Sequence, residues 1–422
     1  METNLKGIEY LRTKLSSKKR WVTTRYNYYE CKFQKPDPSP VIPANLLKRY
    51  DSKINWCAKA VDALANRLSF AGFDNDNYNL WEIFQNNNKD ILLDSAIRSS
   101  LISACCFVYI SAGEDGYPRL QVIDGKNATG TIDPITNFLK EGYAVLETDD
   151  KGNILIEAYF TPDSTTYYYY GDMRTNGDSK ELINTTVEEN PTGYPLLVPV
   201  IYRPDAHRPF GQSRISVDCM DLQDKARFTV TRMEVLAEFN AFPQKWILGT
   251  AQDSDLDTVK ATYTSFLEIT KDDDGEHPVI GQFQQATMTP LVDQIKTYAQ
   301  LFCGITGLTM DDLGFVSQNP SSAESIKAGH GDLEKTASKA QDTFGSGFLN
   351  VGFVARCLAD KYSYSRNQIF ETIPVWNPIY AMDNSALSSF GDAVIKINQA
   401  VPDAINAQTM QRLTGLKFEG VE

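Results

Sequence analysis

Apolar residues recur three or four apart along several stretches of this 422-residue chain, and elsewhere they gather in short β-prone runs between turn pairs. Leu47, Tyr50, Ile54, Cys57, Val61, Leu64 and Leu68 predict an amphipathic helix from Ala44 to Phe70, with Lys48, Lys53 and Lys59 between them. A second helical stretch covers about Leu80 to Ser103. The texture then changes. The runs Cys106 to Ile110, Leu120 to Ile123, Tyr143 to Leu146, Ile154 to Phe160, Thr165 to Tyr170 and Leu196 to Tyr202 are separated by Asp115-Gly116, Lys151-Gly152 and Gly171-Asp172, and read as a mainly antiparallel sheet. Alternate residues of a strand face opposite sides, so Tyr167 to Tyr170 favour packing on both faces over a platform for stacked bases.

Helical periodicity returns at Gly211-Gln-Ser213, where Ile215, Cys219, Leu222, Ala226, Val230, Met233 and Ala237 advance by three or four up to Phe242-Pro243. Gln244 to Gly249 reads as a short strand, about Asp255 to Ile269 as a helix, Lys271 to Gly275 as an acidic turn and Pro278 to Phe283 as a second strand. This strand-helix-strand insert lies between two helices, the second from near Leu291 to Cys303. A loop, Ile305 to Gly314, then leads to Asn319, a good N-cap, and Pro320, suited to the first helical position. Apolar positions from Ala323 through Phe344, Phe348 and Val351 to Tyr362 predict one long helix, roughly 60 Å if unbroken. That length points to packing against other subunits. Glycines at 329, 331, 345, 347 and 352 each cost about 1 kcal/mol relative to Ala, so bends or close packing are expected there. Phe370 to Val375 is β-like, Trp376-Asn-Pro378 a turn, and Ser385 to Ala400 and about Ala404 to Thr414 close the chain as helices. The N-terminal segment has a basic start (Lys14, Lys18, Lys19, Arg20), an aromatic cluster (Tyr26, Tyr28, Tyr29) and an extended connector at Pro36, Pro38, Pro40 and Pro43.

Composition restricts function. With 41 basic against 54 acidic side chains the formal net charge is −13, which opposes the phosphate neutralisation that tight DNA binding needs while allowing DNA to pass nearby without sticking. No apolar run approaches the ~18–20 residues of a membrane span, and the first residues lack the apolar core of a signal peptide, so a cytoplasmic origin and no membrane partner are expected. Seven cysteines without paired spacing fit reduced thiols acting as small hydrophobes.

The chemistry of an enzyme is hard to find. There is no Gly-rich phosphate loop ending in Gly-Lys-Ser/Thr, and His207, His277 and His330 are too far apart in sequence for a zinc-protease signature or a local triad motif. Asp253-Ser-Asp255-Leu-Asp257 opens like a calcium loop but has Thr258 where Gly and Thr264 where Glu are needed. Asp311-Asp312 lacks a clustered Glu or His for a two-metal nuclease. No catalytic residue, metal ligand or cofactor is assigned. Asp272, Asp273 and Asp274 form a solvated turn or an exposed acidic contact surface.

The order of these pieces resembles the portal proteins of tailed bacteriophages. The resemblance rests on Asn55-Trp56, Val61-Asp62 and Arg67-Leu68 before Gly72-Phe73, on the Gly211-Gln-Ser213 helix, and on the Phe242-Pro243 to Gly249 strand. Gly304-Ile-Thr-Gly-Leu308 with Leu313-Gly314, Asn319-Pro-Ser-Ser-Ala-Glu324, Trp376-Asn-Pro378 and Phe390 to Ala400 extend it over nearly the whole chain. It implies an α+β multidomain fold with an α/β wing, a two-helix stem, a small α/β clip, a tunnel loop and a long wing helix. Carried over by segment, 1–212 is the wing, 213–240 and 291–304 the stem, 241–290 the clip, 305–320 the tunnel loop, 321–383 the long helix and return to the wing, and 384–422 a short crown. The implied function is a non-enzymatic ring, usually a dodecamer, at one capsid vertex of the virion, assembled in the host cytoplasm, through which double-stranded DNA is packaged and ejected. Its implied partners are its own copies, the large terminase, the head-tail adaptor, and the major capsid and scaffolding proteins. Leu308, Thr309, Met310, Asp311 and Asp312 are expected at the channel constriction, and Asp272 to Asp274 on the clip surface facing a partner. A different head-completion ring protein, or a carboxylate-dependent nuclease, is the alternative.

Overall fold

The computed structural model describes residues 5–32, 49–113, 116–171, 182–241, 245–248, 279–315, 329–380, 384–402 and 404–414. The proline connector, the expected 255–269 helix and acidic turn, and the Asn319-Pro320 helix start lie outside them. Two compact units emerge, one of residues 1–33, 55–217 and 306–422 and one of 34–54 and 218–305. Among the described residues the α-helices, in chain order, are α1 (Ile8–Tyr29), α2 (Trp56–Ala65), α3 (Leu80–Gln85), α4 (Lys89–Ser103), α5 (Val217–Ala241), α6 (Thr289–Thr306), α7 (Gly331–Ala359), α8 (Asn384–Ala400) and α9 (Ala407–Thr414), apart from single helical residues beside the undescribed stretches.

The first unit is built on α7. Leu333, Ala337, Ala340, Phe344, Phe348, Val351 and Ala355 follow the helical period and are each at most 2% exposed. This stripe is covered by the chain's own β9 (Leu197–Ile201), α3, β12 (Ile373–Trp376) and β2 (Cys105–Ala112), so this face of the helix is packed within the subunit. Two of its glycines permit close approach. A Cβ on Gly345 would lie 2.9 Å from the Pro374 Cβ, and one on Gly352 3.2 Å from the Leu80 Cβ. Around Phe348 the rings of Phe70, Phe84 and Trp376 pack at 5.2, 6.3 and 6.2 Å, in an aromatic cluster where each buried side chain contributes about 1.5–3 kcal/mol. Phe70 belongs to β1 (Phe70–Asp74), paired antiparallel with β12. The expected Ala44–Phe70 helix is therefore interrupted over 51–55, resumes as Trp56–Ala65, and ends where the chain turns at Asn66–Leu68 to start this strand. The expected Leu80–Ser103 helix breaks in two at Asn88, whose φ of 50° is a left-handed conformation that asparagine tolerates.

Two further sheets share the unit with the β1–β12 pair. One has order β3-β2-β9, with β3 spanning Pro118–Ile123. The other has order β4-β5-β6-β7-β8: Ala128–Ile132, Leu139–Thr148, Ile154–Phe160, Ser164–Tyr170 and Leu182–Glu189, all antiparallel. Alternation divides the tyrosines of β7 as expected. Tyr167 points to β2, its hydroxyl 2.9 Å from that of Tyr109, while Tyr168 and Tyr170 face α1. The N-terminal half of α1 lies on that opposite face, with Leu11 and Leu15 packed on Tyr143 and Val145. The backbone amides of Lys6 and Gly7 both donate to the buried Glu141 carboxylate at 3.0 Å, so a sheet residue caps the start of the helix. Arg12, Tyr143 and Tyr170 converge on Glu157, itself 1% exposed.

In the second unit, residues 218–241 of α5 are linked to the first turns of α6 by the Thr229 hydroxyl and the Gln294 side chain at 3.3 Å, and to the segment before α6 by Asn240 donating to the Ala286 carbonyl at 2.9 Å. Arg227 pairs with Asp51 at 2.9 Å. Beyond α5, the two strands that the sequence predicts, β10 (Lys245–Leu248) and β11 (Val279–Gln282), pair antiparallel, and Gly281 is required because a Cβ there would enter the Trp246 ring.

Candidate functional site

The loop expected at the constriction is folded onto its own subunit. After Thr306, Gly307 adopts φ 71° and turns the chain out of α6. Leu308 follows and is only 5% exposed, so its side chain belongs to the subunit interior. Thr309 and Asp312 then cap each other. The Thr309 backbone amide and hydroxyl both donate to Asp312 Oδ2 at 3.0 Å, and the Asp312 amide donates back to Thr309 Oγ1 at 3.3 Å. This reciprocity, readable in the sequence as Thr-x-x-Asp, nucleates the single 3-10 turn Asp311–Leu313. Gly314, at φ 87°, ends it. Met310 and Asp312 are half-buried, so Asp311 is the exposed one of the five.

Surrounding groups fix the loop in place. The turn lies against α2. Buried Arg214 donates to the Thr306 carbonyl at the loop's entrance and to the Ala60 carbonyl of α2 at 3.4 Å, tying the two together. Sequence periodicity gave Arg214 no role, since it was counted as part of a helix starting at Ser213. That helix begins at Val217. Residues 211–214 form instead a turn in which the Arg214 amide donates to Leu101 at 2.8 Å and the Ser213 hydroxyl to Ile102 at 2.6 Å. His330, at the start of α7, places Nδ1 3.5 Å from Asp312 Oδ2 and its ring 6.5 Å from Tyr380, over which the Arg67 guanidinium lies at 5.5 Å.

The arrangement offers positioning and little chemistry. Asp312 is engaged by Thr309, which separates it in role from the adjacent Asp311. Among the described residues no group of three or more His, Cys, Asp or Glu could hold one ion, and no helix is long and apolar enough to cross a membrane. Asp253 to Asp257 and the proposed contact surface Asp272 to Asp274 lie outside the described residues. All seven cysteines are free thiols and all but Cys31 are buried. Burial holds the Cys106 thiol up at about 12, which keeps it protonated and unreactive.

The chain is thus multi-unit and α+β, with a self-capped loop beside a buried helical spine. The family model described as phage portal protein, SPP1 Gp6-like, matches residues 15–398, and the chain belongs to that family. Portal proteins of Mycobacterium phage L5 and Mycobacterium phage D29 are 24% identical over 339 residues and 23% over 336, each alignment covering 76% of this chain and 67% of the relative. A neck structure of a native gene transfer agent particle, computed with C12 symmetry, matches 94% of this chain and 99% of its own at 14% identity and a TM-score of 0.46. The protein is accordingly a portal subunit, part of the ring at a capsid vertex.

Proposed function

We propose that twelve copies of this chain close the ring, that DNA enters and leaves the capsid through it, and that the loop at 305–320 forms its narrowest level. The family match over residues 15–398 carries this reading. The loop's geometry supports its part: a turn held by Arg214, α2 and the Thr309–Asp312 pair presents Asp311 at a fixed height, and a carboxylate there repels phosphate. A ring so lined lets DNA slide, since it offers no row of cations to neutralise the backbone. Work then comes from a separate terminase motor docked on residues 241–290, a surface the head-tail adaptor takes over after packaging, while 1–212 meets capsid and scaffolding protein. The subunit itself acts as wall and docking platform, and no step of bond chemistry is assigned to it.

Deleting Leu308 to Asp312 tests the loop. Capsids carrying the deleted chain are expected to form rings of normal diameter by electron microscopy and to package or retain less DNA than wild type. Normal packaging and retention would remove the loop from the mechanism, and absence of a perforated ring in the wild type would remove the dodecamer.

A further inference from the structure

The free edge of the five-stranded sheet borders an acidic cleft of about 710 Å³. Among the described residues Asp163, Glu188 and Glu189 line it with Lys361 as the one cation, and none of the three acids forms an ion pair. Leu358 and Ala359, from the last turn of α7, line it too, and the negative end of a long helix adds to the attraction for a cation. A second observation marks it as an unfilled socket. Thr165, 1% exposed, lines the cleft with a buried hydroxyl that has no hydrogen-bond partner. Tyr167 beside it is already engaged with Tyr109. Along the same edge β8 pairs, among the described strands, only with β7 and leaves Ile183 and Val187 at 69% and 65% exposure, an edge of the kind that proteins otherwise cover.

The chain carries a matching surface of opposite charge. On the outer side of α1, Lys19 and Arg20 are exposed beside Trp21, itself 58% exposed, and Arg20 makes no ion pair among the described residues. Through Arg12 the helix reaches Tyr168 and Tyr170 on one face of the sheet, whereas the cleft is lined by Thr165 and Tyr167 on the opposite face. The two patches therefore lie toward different flanks of one subunit, as a head-to-tail contact requires. Resting on the ring reading above, we infer that they are the two halves of one contact between neighbouring copies. Arg20 of one copy enters the acidic cleft of the next, where its guanidinium donates to Glu188, Glu189 and the Thr165 hydroxyl, and Trp21 covers the apolar edge of β8.

Paired charge reversals test this. Glu188→Lys with Glu189→Lys in one chain, and Arg20→Glu in another, are each expected to need a roughly tenfold or higher concentration to form rings, read by native mass measurement and electron microscopy. Mixed in equal amounts the two variants are expected to assemble with each other in alternation, because each supplies the half the other has reversed. Recovery on mixing also shows that both chains are folded. Single variants that assemble at wild-type concentration, or a mixture no better than its components, would overturn the assignment while leaving the ring intact. A wild-type chain that forms no ring at all would overturn the ring and this contact together.

Discussion

The cluster around Glu157 makes a quantitative test of how α1 is held to its sheet. Replacing Glu157 with Gln keeps the side chain's size and some of its hydrogen bonds to Tyr143 and Tyr170, and removes the charge facing Arg12. Breaking a buried pair by removing one partner costs about 3–5 kcal/mol because the other charge is stranded. Arg12 keeps 30% of its side-chain surface in water, which relieves part of that cost, so the expected loss is about 2–3 kcal/mol. Burial, the largest single influence on Glu157, pushes its carboxyl upward, yet the hydrogen bonds from Tyr143, Tyr170 and Arg12 and the Arg12 charge together hold it below the ordinary carboxylate value. A carboxyl depressed in the folded state adds stability at pH above its unfolded value of about 4.3, and that contribution is lost as pH falls through the folded value. Wild type and Glu157→Gln should therefore differ in denaturant midpoint at pH 7 and converge below about pH 4. The double variant Arg12→Met with Glu157→Gln should lose less than the two single variants combined, since no charge is stranded in it. Equal midpoints at pH 7, or a gap that stays constant into acid, would refute the electrostatic account.

Three further outcomes are expected. Gly345→Ala should lower the unfolding midpoint, since crowding Pro374 costs about 1–3 kcal/mol and outweighs the helix-propensity gain of about 1 kcal/mol, whereas Gly304→Ala, whose new methyl meets open space, should raise it by about 0.5–1 kcal/mol in the unassembled chain. Midpoints moving in the same direction would contradict the packing read at these two sites. Phe348→Ala, at the centre of the aromatic cluster, should cost about 3–5 kcal/mol by calorimetry or denaturant titration, and a loss under about 1 kcal/mol would mean the cluster is not the core of this unit. Thr309→Val should speed hydrogen exchange at the Asp312 amide roughly five- to tenfold, for a cap worth about 1 kcal/mol, and unchanged exchange would deny that the Thr309–Asp312 pair holds the turn.

What the sequence revealed and what it concealed follow one physical line. Where one face of an element meets apolar neighbours, periodicity was enough: α7 was legible from Leu333 to Ala355, and so were β2, β6 and β7, while β10 and β11 were legible as strands though not as a pair. Three strands escaped, β1 because its first residue also closes the helical period read from Ala44. β4 contains Gly130, which admits the Glu141 backbone and the Leu139 side chain, and β8 is exposed along nearly its whole length, so neither carries an alternating core pattern. Of the loop, the Thr-x-x-Asp spacing was present to be read, whereas the burial of Leu308 and the reach of Arg214 to Thr306 depend on residues far apart in the chain.

The missed helix α1 shows most clearly why charge can hide structure. Its stretch was legible only as a basic start followed by tyrosines, because a lysine counts as polar in any periodicity. Yet the ammonium of Lys14 lies 4.7 Å from the centre of the Phe210 ring and donates to the Gly130 carbonyl at 2.7 Å, and Lys18 lies 5.2 and 5.6 Å from the rings of Phe210 and Phe107. Both stems add to the buried stripe begun by Leu11 and Leu15, so the packed face is wider than its apolar residues show. Burial, together with the neighbouring charges of Lys18 and Lys6, brings the Lys14 ammonium down to about 8. Cations held in this way are satisfied within the subunit by rings and a carbonyl, whereas Lys19 and Arg20, one position further round the helix, face outward. The same basic run thus divides into a structural half and a half left for a partner, a division set by helical geometry and not by charge.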